Sequence, residues 1–307
     1  MKQAITFKNR QLEVAADLYL PADFDPQKRY AAIICAHPIS SCKEQTSGLY
    51  ASKLAELGYV ALAFDASFQG ASDGEPSYLE DPATRIEDFR CAVDHLVTLP
   101  YVDENRIGAL GICGGGGYAA SATMTERRIK ALGTVVPANY GRLMREGDHS
   151  SDAALRTLDA IAQLRTAEAR GAEPFITTYI PDSVEARLQA GITDIDIVQA
   201  VEYYRTPRGQ HGHSPNRLLL SGCAPAVGFD AFHLAEQLLT QPLQVIVGSV
   251  PGGFGSYRDG FELFNRARSA HKHIRVVEGA SHYDLYDQPD AVAQAIEQLQ
   301  SFYRDNL

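Results

Sequence analysis

Four continuous apolar runs constrain this chain most: residues 31–36 (AAIICA), 59–64 (YVALAF), 106–112 (RIGALGI) and 131–136 (ALGTVV). A strand with one face in water alternates apolar and polar residues. A run without alternation suits a strand buried on both faces of a parallel sheet. The intervening segments carry helical spacing. Residues 45–57 fit a helix ended by Gly58 at its C′ position, and Thr84 is placed to cap a second helix. That helix would put Ile86, Phe89, Val93 and Leu96 on one face. Strands alternating with such helices imply right-handed βαβ units and a mostly parallel sheet flanked by helices. Upstream, residues 5–7 and 12–20 flank the turn-like Lys8-Asn9-Arg10 and read as an antiparallel pair at a sheet edge.

The rhythm breaks after Asn139. Residues 140–218 show helical patterns at 150–170, 183–190 and 194–204, no clear buried strand, and the turn-rich stretch RTPRGQHGHSPNR. It then resumes with a helix at 229–239, a strand at 243–247, a helix at 257–271, a strand at 274–277 and a last helix at 289–304. The expected organisation is one core from residues 1–139 and 219–307, interrupted by a helical cap at 140–218. A length of 307 residues accommodates one domain with such an insertion.

Composition narrows the function classes. A net charge of −10 argues against nucleic acid as a partner, since phosphate binding wants clustered Lys and Arg. No run approaches the roughly 20 apolar residues of a membrane span, so no membrane partner is expected. The opening MKQAITFKNRQ has no apolar core of a secretory signal, and the expected location is cytoplasmic. Five scattered cysteines without a C-x-x-C pair suit reduced thiols better than a disulfide framework or a zinc motif. The histidines are dispersed, and His211-Gly212-His213 reads as a loop without nearby ligands. Neither a metal nor a nucleotide cofactor is expected.

The segment Gly111-Ile112-Cys113-Gly114-Gly115 matches the strand-to-helix elbow G-x-nucleophile-x-G, with cysteine in the central place. Side chains two before and two after the nucleophile would clash in that sharp turn. The helix N-terminus behind it favours thiolate over thiol, so a lowered Cys113 pKa is expected. A glycine-rich turn of this kind can instead hold phosphate. However, it does not follow the first strand, and no G-x-G-x-x-G with a following acidic residue and no Walker lysine accompanies it. A catalytic histidine belongs after the last strand, and His282 stands there. An oxyanion hole would take the N–H of Gly114 and one from the loop His37-Pro38-Ile39-Ser40, with Ile39 the choice.

On HPISSCKEQTSGLYASKLAELGYVALAFDASFQGASDGEP, GICGGGGY, RTPRGQHGHSPNR and FDAFHLAEQLLTQPL, the chain resembles the α/β-hydrolase superfamily, in its dienelactone-hydrolase-like group. It is also similar to bacterial hydrolases and fungal polyketide-associated hydrolases and acyltransferases. The resemblance implies an α/β-hydrolase fold with an inserted helical cap, and a cysteine nucleophile at Cys113. The activity it implies is hydrolysis of an ester, lactone or thioester through an acyl-enzyme, with a small-molecule acyl substrate; a homodimer is left open. Such enzymes carry an acid after the penultimate strand, but the loop 249–255 (SVPGGFG) has no carboxylate. Asp259 is the first acid beyond it and a candidate. Glu44 is a second candidate, as a modulator of the thiol, and reads equally as part of a helix-start charge pair. Asp65 is read as an organiser of its loop. Two alternatives stay open: an acyltransferase using the same intermediate, and an inactive ligand-binding or redox-sensing protein of this fold.

Overall fold

The computed structural model describes residues 1–146, 150 and 152–307. Strands β1 (Lys2–Asn9), β2 (Leu12–Tyr19), β3 (Tyr30–Ala36), β4 (Val60–Phe64), β5 (Val102–Ile112) and β6 (Ile129–Val135) precede a small pair, β7 (Ile176–Thr178) and β8 (Arg217–Leu219). β9 (Leu243–Gly248) and β10 (Lys272–Val277) follow. Eight strands form one sheet in the order β1-β2-β4-β3-β5-β6-β9-β10. β1 and β2 are antiparallel at its edge, and from β4 to β10 every neighbour is parallel.

Helices α1 (Thr46–Glu56), α2 (Pro82–Val97) and α3 (Gly114–Thr125) connect the first parallel strands. Between β6 and β9 lie α4 (Tyr140–Glu146), α5 (Ala153–Ala169), α6 (Val184–Gln189), α7 (Ile195–Arg205), α8 (Ala224–Gly228) and α9 (Ala235–Leu238). The chain closes with α10 (Ser256–Arg266), α11 (Asp284–Asp287) and α12 (Pro289–Asn306). Adjacent residues of β3 serve opposite faces of the sheet. Ala32, Ile34 and Ala36 join the core beneath α2 and α3, while Ile33 and Cys35 join the core with Tyr50, Leu54, Leu299 and Tyr303 of α1 and α12. This two-sided burial is why these strands read as unbroken apolar runs.

Strand order reverses at β3, which has β4 on one side and β5 on the other. Crevices at the carboxyl ends of strands flanking such a switch point are where ligands bind in open α/β sheets. Ile39 follows β3 and Cys113 follows β5, so the sheet itself brings them together.

Several expected boundaries move. Asp81, not Thr84, caps α2: its carboxylate accepts the Thr84 N–H at 2.7 Å, and Pro82 takes the first helical position. The helix expected at 229–239 shrinks to α9 alone, since α8 ends at Gly228 before that span begins. Phe229 stacks on Tyr118, and Leu234 adopts a left-handed φ of 66°. The helix expected to 271 stops at Arg266, where the Lys272 ammonium caps the carbonyls of Phe264 and Ala267 at 2.8 and 2.7 Å. The segment 140–218 contains helices near the expected places, plus the unforeseen β7, paired antiparallel with β8. β8 runs across the expected boundary at 218. Among the described residues, no helix is long and apolar enough to cross a membrane.

Candidate active site

Cys113 occupies the turn between β5 and α3 with φ 54° and ψ −126°. A non-glycine residue held there stores roughly 1–3 kcal/mol of backbone strain. The flanking glycines are steric requirements. A Cβ at Gly111 would lie 2.3 Å from the Gly115 carbonyl oxygen, and one at Gly115 would lie 2.6 Å from the carbonyl oxygens of Ala36 and His37. These are backbone contacts with no side chain to swing aside.

The Cys113 thiol is buried, and the backbone N–H groups of Gly114 and Ile39 lie beside it and favour its thiolate. These are the two donors expected for an oxyanion hole. His282, after β10, is 2% exposed. Its Nε2 lies 3.1 Å from the Tyr286 hydroxyl, which also stands beside Cys113 and favours its thiolate. Its Nδ1 lies 2.9 Å from the Ser256 hydroxyl. With Nδ1–H donating to Ser256, Nε2 accepts from Tyr286. Tyr286 thus stands between Cys113 and His282, with Ser256 behind the imidazole ring.

The lowered thiol pKa expected from the helix N-terminus is not what the chamber produces. Burial pushes Cys113 up to about 11, against the opposing effects of Tyr286 and the Gly114 and Ile39 N–H groups, with Asp196 adding to the rise. Burial likewise pushes His282 down to about 3. Removing water penalises either charge more than the local dipoles favour it. Both groups are neutral near pH 7, so the resting site is a thiol–imidazole line and not an ion pair. Because the thiol pKa is raised, the thiolate fraction grows with pH throughout the neutral range. Carbamidomethylation at Cys113, followed by peptide mass mapping, should accelerate roughly tenfold per pH unit between about pH 7 and about pH 9. A rate that levels off below about pH 8 contradicts this arrangement.

Asp259 does not meet His282. Its carboxylate accepts from Arg142 Nε and Nη2 at 2.7 and 2.8 Å and from the Asn139 N–H at 2.7 Å, tying α10 to the start of α4. Arg142 also donates to the Phe254 carbonyl. Arginine and aspartate are both buried, so truncating one strands the other's charge. Arg142→Ala should cost about 3–5 kcal/mol in urea unfolding; a cost below about 1 kcal/mol would show the pair to be solvated.

The sequence reading missed Asp196. This buried carboxylate in the first turn of α7 accepts the Phe254 N–H at 2.8 Å, while its Oδ1 has no partner. Burial raises it to about 6. A Cβ at Gly252 would fall 2.3 Å from its Cγ, so the glycines of the acid-free loop make room for a carboxylate arriving from another segment. In the sequence, Asp194-Ile195-Asp196 reads as a capping pair, and Asp194 is indeed the cap, accepting from the Asp196 and Ile197 N–H groups. Nothing local separates the buried member from the capping one.

Glu44 sits away from the thiol. Burial would raise its pKa, but the Lys43 ammonium at 2.6 Å overrides this and holds it at about 2. Asp65 does organise its loop, accepting from the Lys43 N–H at 2.6 Å, the Lys43 ammonium at 3.1 Å and the Ala71 N–H at 2.9 Å. The loop carrying His211 and His213 has ligand-type neighbours after all. His213 Nδ1 is 3.1 Å from Glu44, and His211 Nδ1 is 3.5 Å from the Cys42 sulfur.

Aromatic side chains close the chamber. Tyr204 of α7 packs edge-on against Tyr203 and Tyr283, and Tyr203 packs against Tyr286. The Tyr140 ring stands 6.4 Å from that of Tyr179. Phe254 packs edge-on against His282 at 5.6 Å.

Comparison with known proteins agrees with this architecture. Residues 15–154 match the Dienelactone hydrolase family. The chain is 41% identical over 313 residues to YcjY, an uncharacterized protein of Escherichia coli, covering 100% of both. The crystal structure of the hypothetical protein PA2218 from Pseudomonas aeruginosa superposes with a TM-score of 0.91 at 32% identity, covering 100% of this chain and 94% of that one. The thiohydrolase apmlB of Arthrinium phaeospermum is 33% identical over 150 residues, 47% of this chain and 48% of its own. The sheet order, the elbow and these relatives together place the chain in the dienelactone hydrolase family, as a hydrolase of the α/β-hydrolase fold.

Proposed function

We propose that this hydrolase cleaves an ester, lactone or thioester of a small acyl compound through a covalent intermediate on Cys113. The observation that carries the reading is Tyr286 standing between Cys113 and His282, with two backbone N–H groups beside the sulfur. The substrate carbonyl enters between these N–H groups. Sulfur then bonds to the carbonyl carbon while the thiol proton passes to the Tyr286 oxygen and the tyrosine proton to His282 Nε2. The Gly114 and Ile39 N–H groups hold the oxyanion. The tetrahedral intermediate collapses, the leaving group takes the proton from the imidazolium, and an acyl thioester remains on Cys113. Water attacks this thioester as Nε2 accepts its proton, and the released sulfur recovers a proton from the imidazolium. Ser256 holds the ring through Nδ1, in the place where an acid usually stands.

Residues 140–218 act as a cap. Tyr203 and Tyr204 would shape the acyl pocket, and the similarity to a thiohydrolase supports thioesters among the substrates. The test is intact-mass and peptide mass spectrometry after mixing with acyl p-nitrophenyl esters and acyl thioesters. The expected result is a transient adduct equal to the acyl group on the Cys113 peptide. Turnover with no adduct at any time, or an adduct on another residue, overturns the reading. Adding amine or thiol acceptors to the same reaction shows whether water alone receives the acyl group.

A further inference from the structure

The loop after β3 does more than supply the Ile39 N–H. Three residues beyond Ile39, Cys42 points its sulfur at His211 Nδ1, 3.5 Å away. Glu44 Oε2 lies 3.9 Å from the same nitrogen, and all three donor atoms fall within 4.8 Å of one another. Lys43 occupies the other oxygen, Oε1, as does His213 Nδ1 at 3.1 Å. Oε2 is buried and has no hydrogen-bond partner. Lys43 and Ala71 already fill both oxygens of the nearby Asp65, whereas His211 Nδ1 accepts one hydrogen bond, from the His213 N–H at 3.2 Å, which an ion would displace.

We propose that Cys42, Glu44 and His211 form a binding site for a divalent transition-metal ion of the zinc class. The donor set decides the class of ion. Thiolate, imidazole and carboxylate together favour zinc-like ions over magnesium or calcium, which take oxygen ligands. The sulfur–nitrogen distance agrees, since the two stand about 3.5 Å apart on one tetrahedral zinc with bonds of about 2.3 and about 2.0 Å, while Glu44 Oε2, 3.9 Å from the nitrogen, has to close in to about 3.3 Å. Thiolate and carboxylate balance the dication, and binding releases the Cys42 proton to solvent. Both histidine side chains are partly exposed, at 36% for His211 and 47% for His213, so an ion has a way in.

The placement gives the site a consequence. Cys42 and Glu44 belong to the loop that carries the oxyanion donor, and His211 belongs to the inserted segment. That junction is already stitched by the Gln45 side chain to the Gly209 carbonyl at 2.6 Å and by Ser214 to the Ser40 carbonyl at 2.9 Å. A bound ion would clamp the inserted segment onto the oxyanion loop.

The site can be tested without reference to hydrolysis. In a Cys113→Ala background, so that the reactive thiol cannot contribute, cobalt(II) is titrated and followed by absorption. One equivalent should produce a thiolate-to-cobalt charge-transfer band in the near ultraviolet, and zinc should abolish it. Cys42→Ser in the same background should remove the band, and His211→Ala should weaken cobalt binding at least about tenfold. No band at excess cobalt, or a band that survives Cys42→Ser, overturns the site. If Cys42→Ser fails to fold, the partly exposed His211 decides: unchanged affinity in His211→Ala overturns it.

Discussion

Cys113→Ala is expected to lower kcat/KM on an activated acyl ester by about 10⁴-fold or more while leaving the unfolding transition near that of the parent. Removal of a nucleophile leaves only the contribution of the oxyanion donors and substrate binding. The fold should tolerate the change, because the two side chains are similar in size and the strained φ of 54° is already present with cysteine. Cys113→Ser is the more instructive partner. A hydroxyl needs stronger activation than a thiol, and the His282 ring here is oriented by Ser256 and not by a carboxylate. Serine should therefore recover little activity, on the order of 1% or less of the parent. Steady-state kinetics on purified variants decides it. Full activity in the serine variant, together with most activity in the alanine variant, would falsify the nucleophile assignment.

Tyr286→Phe is the second large effect. Phenylalanine keeps the buried ring against Tyr203, Tyr283 and His282 but removes the oxygen that joins Cys113 to Nε2. If the proton travels through that oxygen, acylation loses a positioned acid–base step, with an expected drop of about 10²-fold in kcat/KM. The loss should fall on acylation, so a stopped-flow burst with a p-nitrophenyl ester slows in the variant. A second effect separates a relay from mere packing. The Tyr286 hydrogen bond opposes the burial-driven rise of the thiol pKa, so its removal should shift alkylation of Cys113 to higher pH. An unchanged burst and an unchanged alkylation profile would mean that sulfur delivers its proton to Nε2 directly.

The resting chemistry also bears on the redox-sensing alternative. An exposed thiolate is what oxidants attack. Cys113 is buried and its thiol is pushed up to about 11, which disfavours oxidation of the resting site. In the proposed mechanism, the same burial that protects the sulfur makes its activation depend on Tyr286 and His282.

The sequence by itself determined the parts of this protein whose cause is local. The apolar runs of β3 to β6 announced strands buried on both faces, and the glycines around Cys113 announced a turn that only their missing Cβ atoms permit. His282 could be placed because chain order puts it after the last strand. Tertiary structure alone decided the third position of the site. Ser256 and Asp196 reach the chamber from a helix start and from the inserted segment, and each looks in sequence like an ordinary capping residue. It also decided the sign of the thiol's pKa shift. A helix N-terminus can be read from spacing, but desolvation depends on how completely distant tyrosines exclude water, and that total exists only once the chain has folded.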